Sequence, residues 1–357
     1  GASALIDALV LAIPSIQYLL AGLAFASSIA LLSAMMTLVY LVTRVPNFAQ
    51  GTLVISGVLV TVYLIDRVFY THLGSPFYLL LYLVAPVISG VFVALMAFCE
   101  YLFVIRPLRS KGIGDIGIMI STLAFDAILA GSLAIVTLVV PGVYIKKLIN
   151  IDLRSLDVLL NTPLGRFYLS DLLVPLISLV LVALMHYVLY KTKFGIALRA
   201  SIENPNLAKV LGINVDKTYA IAWLLAGFLS GAIGSLIGFQ LSSNYGGINP
   251  TGTQYLFLIS IFAGSVLGGM SSIYLSMLGG FIIGVTESVF VTTLNNVFMF
   301  GLNVNLQLHA LKGLFSFLII MIVLLAAPQG LASINWERLL GLRSKGEVVH
   351  ESTGERT

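Results

Sequence analysis

Residues 16–43 read IQYLLAGLAFASSIALLSAMMTLVYLVT, 28 positions without an Asp, Glu, Lys, Arg or His. At about 1.5 Å of rise per residue such a run makes a helix of about 42 Å, more than the roughly 30 Å of hydrocarbon in a bilayer. Working outward, the same apolar pattern predicts further spans near 52–69, 77–105, 116–140, 172–190, 218–240, 253–270, 272–292 and 308–327. The whole chain of 357 residues is 59% hydrophobic and 10% charged, with mean hydropathy +1.05. A soluble domain carries about 25% charged residues, so this chain cannot cover a water-facing surface. A soluble enzyme, a nucleic-acid binder and a disordered protein are excluded. The fold class is an all-α polytopic transmembrane bundle, with length enough for about 8–10 spans.

The net charge of +4 is small and confined to loops, so it reports orientation and not a polyanionic partner. With the loop 191–217 placed in the cytoplasm, thirteen of the nineteen Lys and Arg residues fall inside. That predicts an outward N terminus and a cytoplasmic C terminus for a multi-pass protein of the cell membrane. One membrane domain is expected over 1–332, followed by a mixed-charge, mobile cytoplasmic tail over 333–357. Cys99 is the only cysteine, which leaves no intrachain disulfide to form. The apolar stretch from Leu5 has no basic flank before it, so no cleavable leader is expected.

Two interruptions occupy comparable places in the two halves: Arg44-Val-Pro-Asn-Phe-Ala-Gln-Gly51 and Gly246-Gly-Ile-Asn-Pro-Thr-Gly252. They read either as ordinary loops or as breaks in helices, whose ends offer unpaired N–H and C=O groups to a polar solute at membrane depth.

The longest polar insertion runs from Tyr190 to Lys217. Within it Asn204 fits a helix N-cap, Pro205 the first helical position and Gly212 the residue past the end, which brackets about two turns. Leu207, Ala208 and Leu211 then share a face, with Lys209 turned away, and Asp216 is placed to cap the next span. A short capped amphipathic helix suits a groove in a partner protein, with a helix lying in the lipid interface as the alternative.

Gly227 and Gly231, Gly234 and Gly238, Gly264 and Gly268, and Gly280 and Gly284 are each four apart, a spacing that lets helix backbones approach. Ionisable residues within spans are few: Asp126, His186 and Glu287, with Glu100 and Lys312 nearer span ends. Charge in lipid costs several kcal/mol, so these groups face the bundle interior or a partner. Asp126 and His186 read as structural. Glu287 shares the helix side of Gly280 and Gly284, where its carboxylate meets either a solute or a neighbouring helix's hydroxyl.

No Gly-Lys dipeptide occurs, so there is no Walker A loop. The sequence also lacks H-E-x-x-H, G-x-S-x-G, a Cys/His cluster and an Arg-ladder helix. No catalytic residue and no metal site is expected.

An ordered set of segments, each weak alone, resembles one known family from about residue 16 to 332. The set comprises Val39-Tyr40 with Asn47-Phe-Ala-Gln-Gly51, Arg106-Pro-Leu-Arg109, Phe194-Gly-Ile-Ala-Leu-Arg-Ala200, Leu211-Gly-Ile-Asn214 and Gly247-Ile-Asn-Pro250. It continues with Val266-Leu-Gly-Gly-Met-Ser-Ser272, Leu278-Gly-Gly280, Ile283-Gly-Val-Thr-Glu287 and Pro328-Gln-Gly330. These segments are similar to the permease subunits of branched-chain (hydrophobic) amino-acid ABC importers. The resemblance implies that the 195–213 loop couples to an ATP-hydrolysing subunit through Gly195, Arg199, Ala200, Glu203, Asn204, Leu207, Ala208, Leu211 and Gly212. It also implies a second permease, usually a homologue, two ATP-binding subunits that carry ATP and Mg, and an extracytoplasmic solute-binding protein. The family commonly has His where this chain has Gln50, which keeps hydrogen bonding and loses titration. For the solute path the residues expected are Asn47, Gln50, Gly51, Asn249, Pro250 and Glu287. The same architecture importing urea or short amides is an alternative. An autonomous secondary carrier would call for more buried carboxylates than Asp126 and Glu287.

Overall fold

A computed structural model of the chain describes residues 16–140, 153–162, 165–245, 252–298, 312–327 and 329–333. Eight of the helices described are long and apolar enough to cross a membrane. A ninth, Thr253–Gly268, has 16 residues, about 24 Å, and is short of a bilayer. The nine lie where the apolar runs of the sequence place them.

The helices are α1 (Ile16–Thr43), α2 (Gln50–Leu64), α3 (Leu81–Glu100), α4 (Arg106–Ser110), α5 (Asp115–Val139), α6 (Leu169–Lys191), α7 (Lys193–Glu203) and α8 (Pro205–Val210). They are followed by α9 (Val215–Tyr245), α10 (Thr253–Gly268), α11 (Ile273–Val285), α12 (Val291–Asn296) and α13 (Lys312–Ala326). Single π-helical turns extend α2 over Ile65–Phe69, join α3 to α4 over Tyr101–Ile105 and join α11 to α12 over Thr286–Phe290.

Helix α1 is apolar all round and almost wholly buried, as expected of a central helix. It packs against α9, α10 and α11, while α9 also packs on α2 and α3. Outer helices keep a lipid face: Leu83 on α3, Ile128 on α5, Leu179 on α6 and Leu325 on α13 are exposed. Between helices the glycines carry the close contacts. A Cβ on Gly264 would stand 2.5 Å from the Gly280 Cα, and one on Gly57 would stand 2.9 Å from the Gly231 carbonyl. Gly227 lies against Val93, Ala94 and Ala97, and Gly284 against Ala26. The four-residue glycine spacing is therefore packing, as the sequence indicated.

The one sheet described is a hairpin of β1 (Leu159–Thr162) and β2 (Gly165–Tyr168), antiparallel with Leu159 opposite Tyr168. A buried bidentate pair anchors it: Arg154 reaches both oxygens of Asp171 at 2.9 and 2.5 Å, with its guanidinium 4.3 Å over the Tyr168 ring. The Tyr82 hydroxyl donates to Asp157 at 2.6 Å, and Tyr78 donates to the Leu156 carbonyl at 2.9 Å. Hairpin and α7–α8 segment lie at opposite ends of α6.

Candidate functional site

The first interruption is built by a turn and a cap. Arg44 takes φ 57°, which ends α1, and the Asn47 Oδ1 accepts the Ala49 N–H at 2.8 Å, which starts the next helix. Arg44 is exposed and donates to the Ile202 carbonyl of α7 at 3.4 Å, whereas Asn47 and Gln50 are 1% and 2% exposed, so the chain runs from the surface into the bundle between them. The first turn of α2 meets its neighbours at their middles. Gln50 Nε2 donates to Ser230 at 2.6 Å, halfway along the 31-residue α9. Thr52 donates to Asp126 halfway along α5, and the Phe48 N–H lies 3.3 Å from the Thr122 hydroxyl.

The short α10 begins at the same depth. A Cβ on Gly51 would run into the carbonyl oxygen of Gln254, the second residue of α10, and stand 3.1 Å from Leu258. Two helix N-termini therefore converge in the interior; the preceding turns satisfy part of their first N–H groups, with Gln50 N–H on the Asn47 carbonyl at 3.3 Å and Tyr255 N–H on the Gly252 carbonyl at 3.2 Å. Around them is a polar shell that the sequence reading places only in part. Asn47 Nδ2 donates to Glu100 Oε2 at 3.0 Å, and Glu100 is fully buried instead of lying at a span end. Among the described residues, Glu100 Oε1 and both polar side-chain atoms of Gln254 have no hydrogen-bond partner. The signal for Gln254 was a polar residue two positions after Gly252, at the start of an apolar run. Asn249 and Pro250 lie outside the described residues, as do residues 141–152 and the tail from 334.

Glu287 does not join this cluster. It sits in the π turn after α11, fully buried, and accepts from Ser260 at 2.7 and 2.9 Å and from Ser316. Of the two readings of its carboxylate, the neighbouring hydroxyl is the one seen. His186 is likewise engaged, 2.7 Å from the Tyr274 hydroxyl and stacked on Tyr190.

At one end of the bundle the segment 192–214 folds as α7 and α8. Asn204 caps α8 by accepting the Leu207 N–H at 3.0 Å, Pro205 opens the helix, and Gly212 turns the chain at φ +84°. Gly195 abuts the Leu189 backbone so closely that no Cβ would fit. Arg199 donates to the Leu189 carbonyl and lies 4.7 Å over the Tyr190 ring. Ala200 is half-buried, whereas Glu203 and Asn204 are exposed. Two details differ from the sequence expectation. Only Ala208 of the expected face is buried; Leu207 and Leu211 stand exposed with Val210, because Ala208 is the residue turned toward the core. Asn214, and not Asp216, caps α9 by accepting the Lys217 N–H at 3.0 Å, which leaves Asp216 in the first turn 3.9 Å from Arg106.

Among the described residues no group of three or more His, Cys, Asp or Glu side chains is arranged to hold a metal. What the arrangement presents is a polar break between helices and, at one end, a short helix with exposed apolar side chains.

Residues 18–324 match the model of the branched-chain amino acid transport system permease component. The chain is 34% identical over 322 residues to the probable branched-chain amino acid transport permease protein LivH of Methanocaldococcus jannaschii, which covers 90% of this chain and 93% of that protein. It is 30% identical over 153 residues to the high-affinity branched-chain amino acid permease LivH of Escherichia coli, covering 43% and 44% of the two chains. It is 33% identical over 147 residues to the nucleoside ABC transporter permease protein NupC of Lactococcus lactis, covering 37% and 45%. No solved structure matches. With a family model spanning most of its length and its membrane helices where that match runs, the chain is a multi-pass membrane protein that belongs to the family of branched-chain amino acid transport permeases.

Proposed function

We propose that the chain is the permease subunit of an ATP-binding-cassette importer that moves branched-chain or other hydrophobic amino acids across the cell membrane. The observation that carries this reading is the similarity to a branched-chain permease along 90% of the chain. The similarity to a nucleoside permease extends over 37% of it, which favours amino acids as the solute. In the assembly it pairs with a second permease, which we take to be a homologue, two ATP-binding subunits and an extracytoplasmic solute-binding protein. The segment 192–214 faces the cytoplasm, and α8 is the element that docks on an ATP-binding subunit. Its apolar side chains Leu207, Val210 and Leu211 stand exposed where a partner groove can cover them. ATP and Mg belong to that partner; this chain's contribution is to open alternately to the two sides.

For the solute, the facing starts of α2 and α10 supply backbone N–H groups suited to a carboxylate, with Asn47, Gln50, Gly51 and Gln254 around them. Asn249 and Pro250 precede α10 in the sequence, outside the described residues. Glu287, bonded by Ser260 and Ser316, is assigned to packing.

The test is uptake by the reconstituted assembly. ATP-dependent accumulation of leucine, with urea excluded, is expected, and Gln254→Ala should reduce it while Glu287→Gln leaves it near wild type. Uptake of leucine that proceeds without ATP would refute the coupling reading; ATP-driven uptake of urea in place of leucine would refute the solute.

A further inference from the structure

Where α3 passes through its π turn into α4, two cavities flank one loose ion pair. The larger, about 710 Å³, is lined by Arg106, Arg109, Lys209, Asp216, Tyr101 and Tyr219, among others. The smaller, about 410 Å³, shares Tyr101, Arg106 and Asp216 with it and continues over Phe98, Ile221 and Leu224 to include Lys217. Four cations thus line the pair of cavities against a single carboxylate, Asp216. That carboxylate neutralises little: it stands 3.9 Å from Arg106, with the two side chains 60% and 52% exposed. Arg109 is held in place by donating to the Thr43 carbonyl, with Asp115 at 3.7 Å.

The walls have two characters. Phe98, Leu102, Ile221 and Leu224 form an apolar side, each half-buried and each on a membrane-spanning helix. On the same stretch Leu95 and Phe103 are 56% and 71% exposed, so this edge borders the acyl region of the bilayer. The cationic side lies at the helix ends, at headgroup level. A basic pocket at a helix end with an apolar wall running into the membrane matches an amphiphile with a phosphate at one end.

We propose that the paired cavities seat one anionic phospholipid, its phosphate among Arg106, Lys209 and Lys217 and an acyl chain along Phe98, Ile221 and Leu224. A free phosphate would satisfy the cations and leave the apolar wall bare. A carboxylate of a partner protein would reach the larger cavity and not the lipid-bordering one. Because Pro205 and Lys209 of α8 line the larger cavity, the bound lipid would touch the segment proposed to transmit ATP hydrolysis. The site itself stands whatever the transported solute is.

The experiment uses the full chain with whatever subunits purify with it, in phosphatidylcholine bilayers doped with a photo-activatable phosphatidylglycerol. Crosslinked peptides are mapped by mass spectrometry. Crosslinks concentrated on Phe98, Leu102, Ile221 or Leu224 are expected, with unlabelled phosphatidylglycerol competing and phosphatidylcholine not. Lys217→Gln should weaken that competition about fivefold, as one cation near the surface is worth. Ala220→Phe, which fills the smaller cavity without touching a charge, should remove the crosslinks. Crosslinks spread evenly along the lipid faces of α3, α5 and α6, or equal competition by phosphatidylcholine, would overturn the proposal. So would complete competition by inorganic phosphate, which would make the ligand soluble.

Discussion

Replacing Leu207 and Leu211 together by Asp tests whether α8 is a docking element. In the structure Leu207 is 55%, Val210 83% and Leu211 70% exposed. Burying a Leu or Val side chain completely is worth about 1.5–3 kcal/mol, so covering what these three still expose would contribute about 3–6 kcal/mol, some 2–4 of it from the two leucines. Losing the leucine share weakens association by at least about 30-fold, before any cost of placing carboxylates in an apolar groove. The isolated chain should barely notice. Leu207 is in the first turn, where an acid is favourable, and Leu211 is just past the last turn, where it is mildly unfavourable, so the two effects offset. Arg199 is a poor choice of probe by comparison, since it holds the Leu189 carbonyl and covers Tyr190, and reversing its charge would disturb α7 itself. The assay is binding of the purified ATP-binding subunit to the chain held in nanodiscs, alongside its thermal midpoint. Affinity within about threefold of wild type, at unchanged thermal midpoint, would refute the docking reading.

Three further outcomes are expected. Gly231→Leu drives a side chain into the Ser89 carbonyl and Val93 on α3 and should cost more than the usual 1–3 kcal/mol of overpacking, read as loss of folded yield in detergent. Arg154→Ala leaves Asp171 buried and uncompensated and should destabilise by about 3–5 kcal/mol, while Arg154→Met with Asp171→Leu recovers most of that in thermal melts. Burial raises the pKa of Asp157 above its ordinary value of 3.8, against hydrogen bonds from Ser170 and Tyr82 that lower it. The folded state then holds this proton more tightly than the unfolded chain. Its contribution is fully present below about pH 4 and fades as pH rises through the raised value, so Asp157→Asn should flatten the acid-side dependence of the thermal midpoint.

Much of the fold is legible along the sequence because lipid imposes a long apolar run on every span. Helix α8 is legible for a different reason: Asn204 by its side-chain cap, and Pro205 and Gly212 by their backbones, act within a few residues. The glycine pairs declare close packing because no other residue permits it. What periodicity cannot give is which side of a helix its neighbours occupy. Leu207, Ala208 and Leu211 share a stripe, yet only Ala208 is covered, because covering depends on where α7 and α9 lie. Asn214 won the cap from Asp216 because the helix started two residues earlier than Asp216 requires, at the ±1–2 residue precision with which helix ends are read. Glu100 and Gln254 escaped notice as partners for the same reason: their meeting with the first turn of α2 is made by residues roughly 50 to 200 positions apart in the chain. The hairpin was invisible, being two four-residue strands held by an ion pair whose partners flank them outside the strands.

The contact of Gly264 with Gly280 has a mechanical consequence. Where side chains interdigitate, one helix can ratchet past another by exchanging rotamers. Here main chain lies on main chain, with Ser33 of α1 wedged against both glycines, and a slip of about one turn would bring Ile261 to the place that Gly264 now fills against a peptide group. The triplet of α1, α10 and α11 therefore has one registry and behaves as a strut. A push delivered at one end must emerge at the other as a rotation of the whole strut, so the gap that opens during transport belongs at its edges and not along its seam.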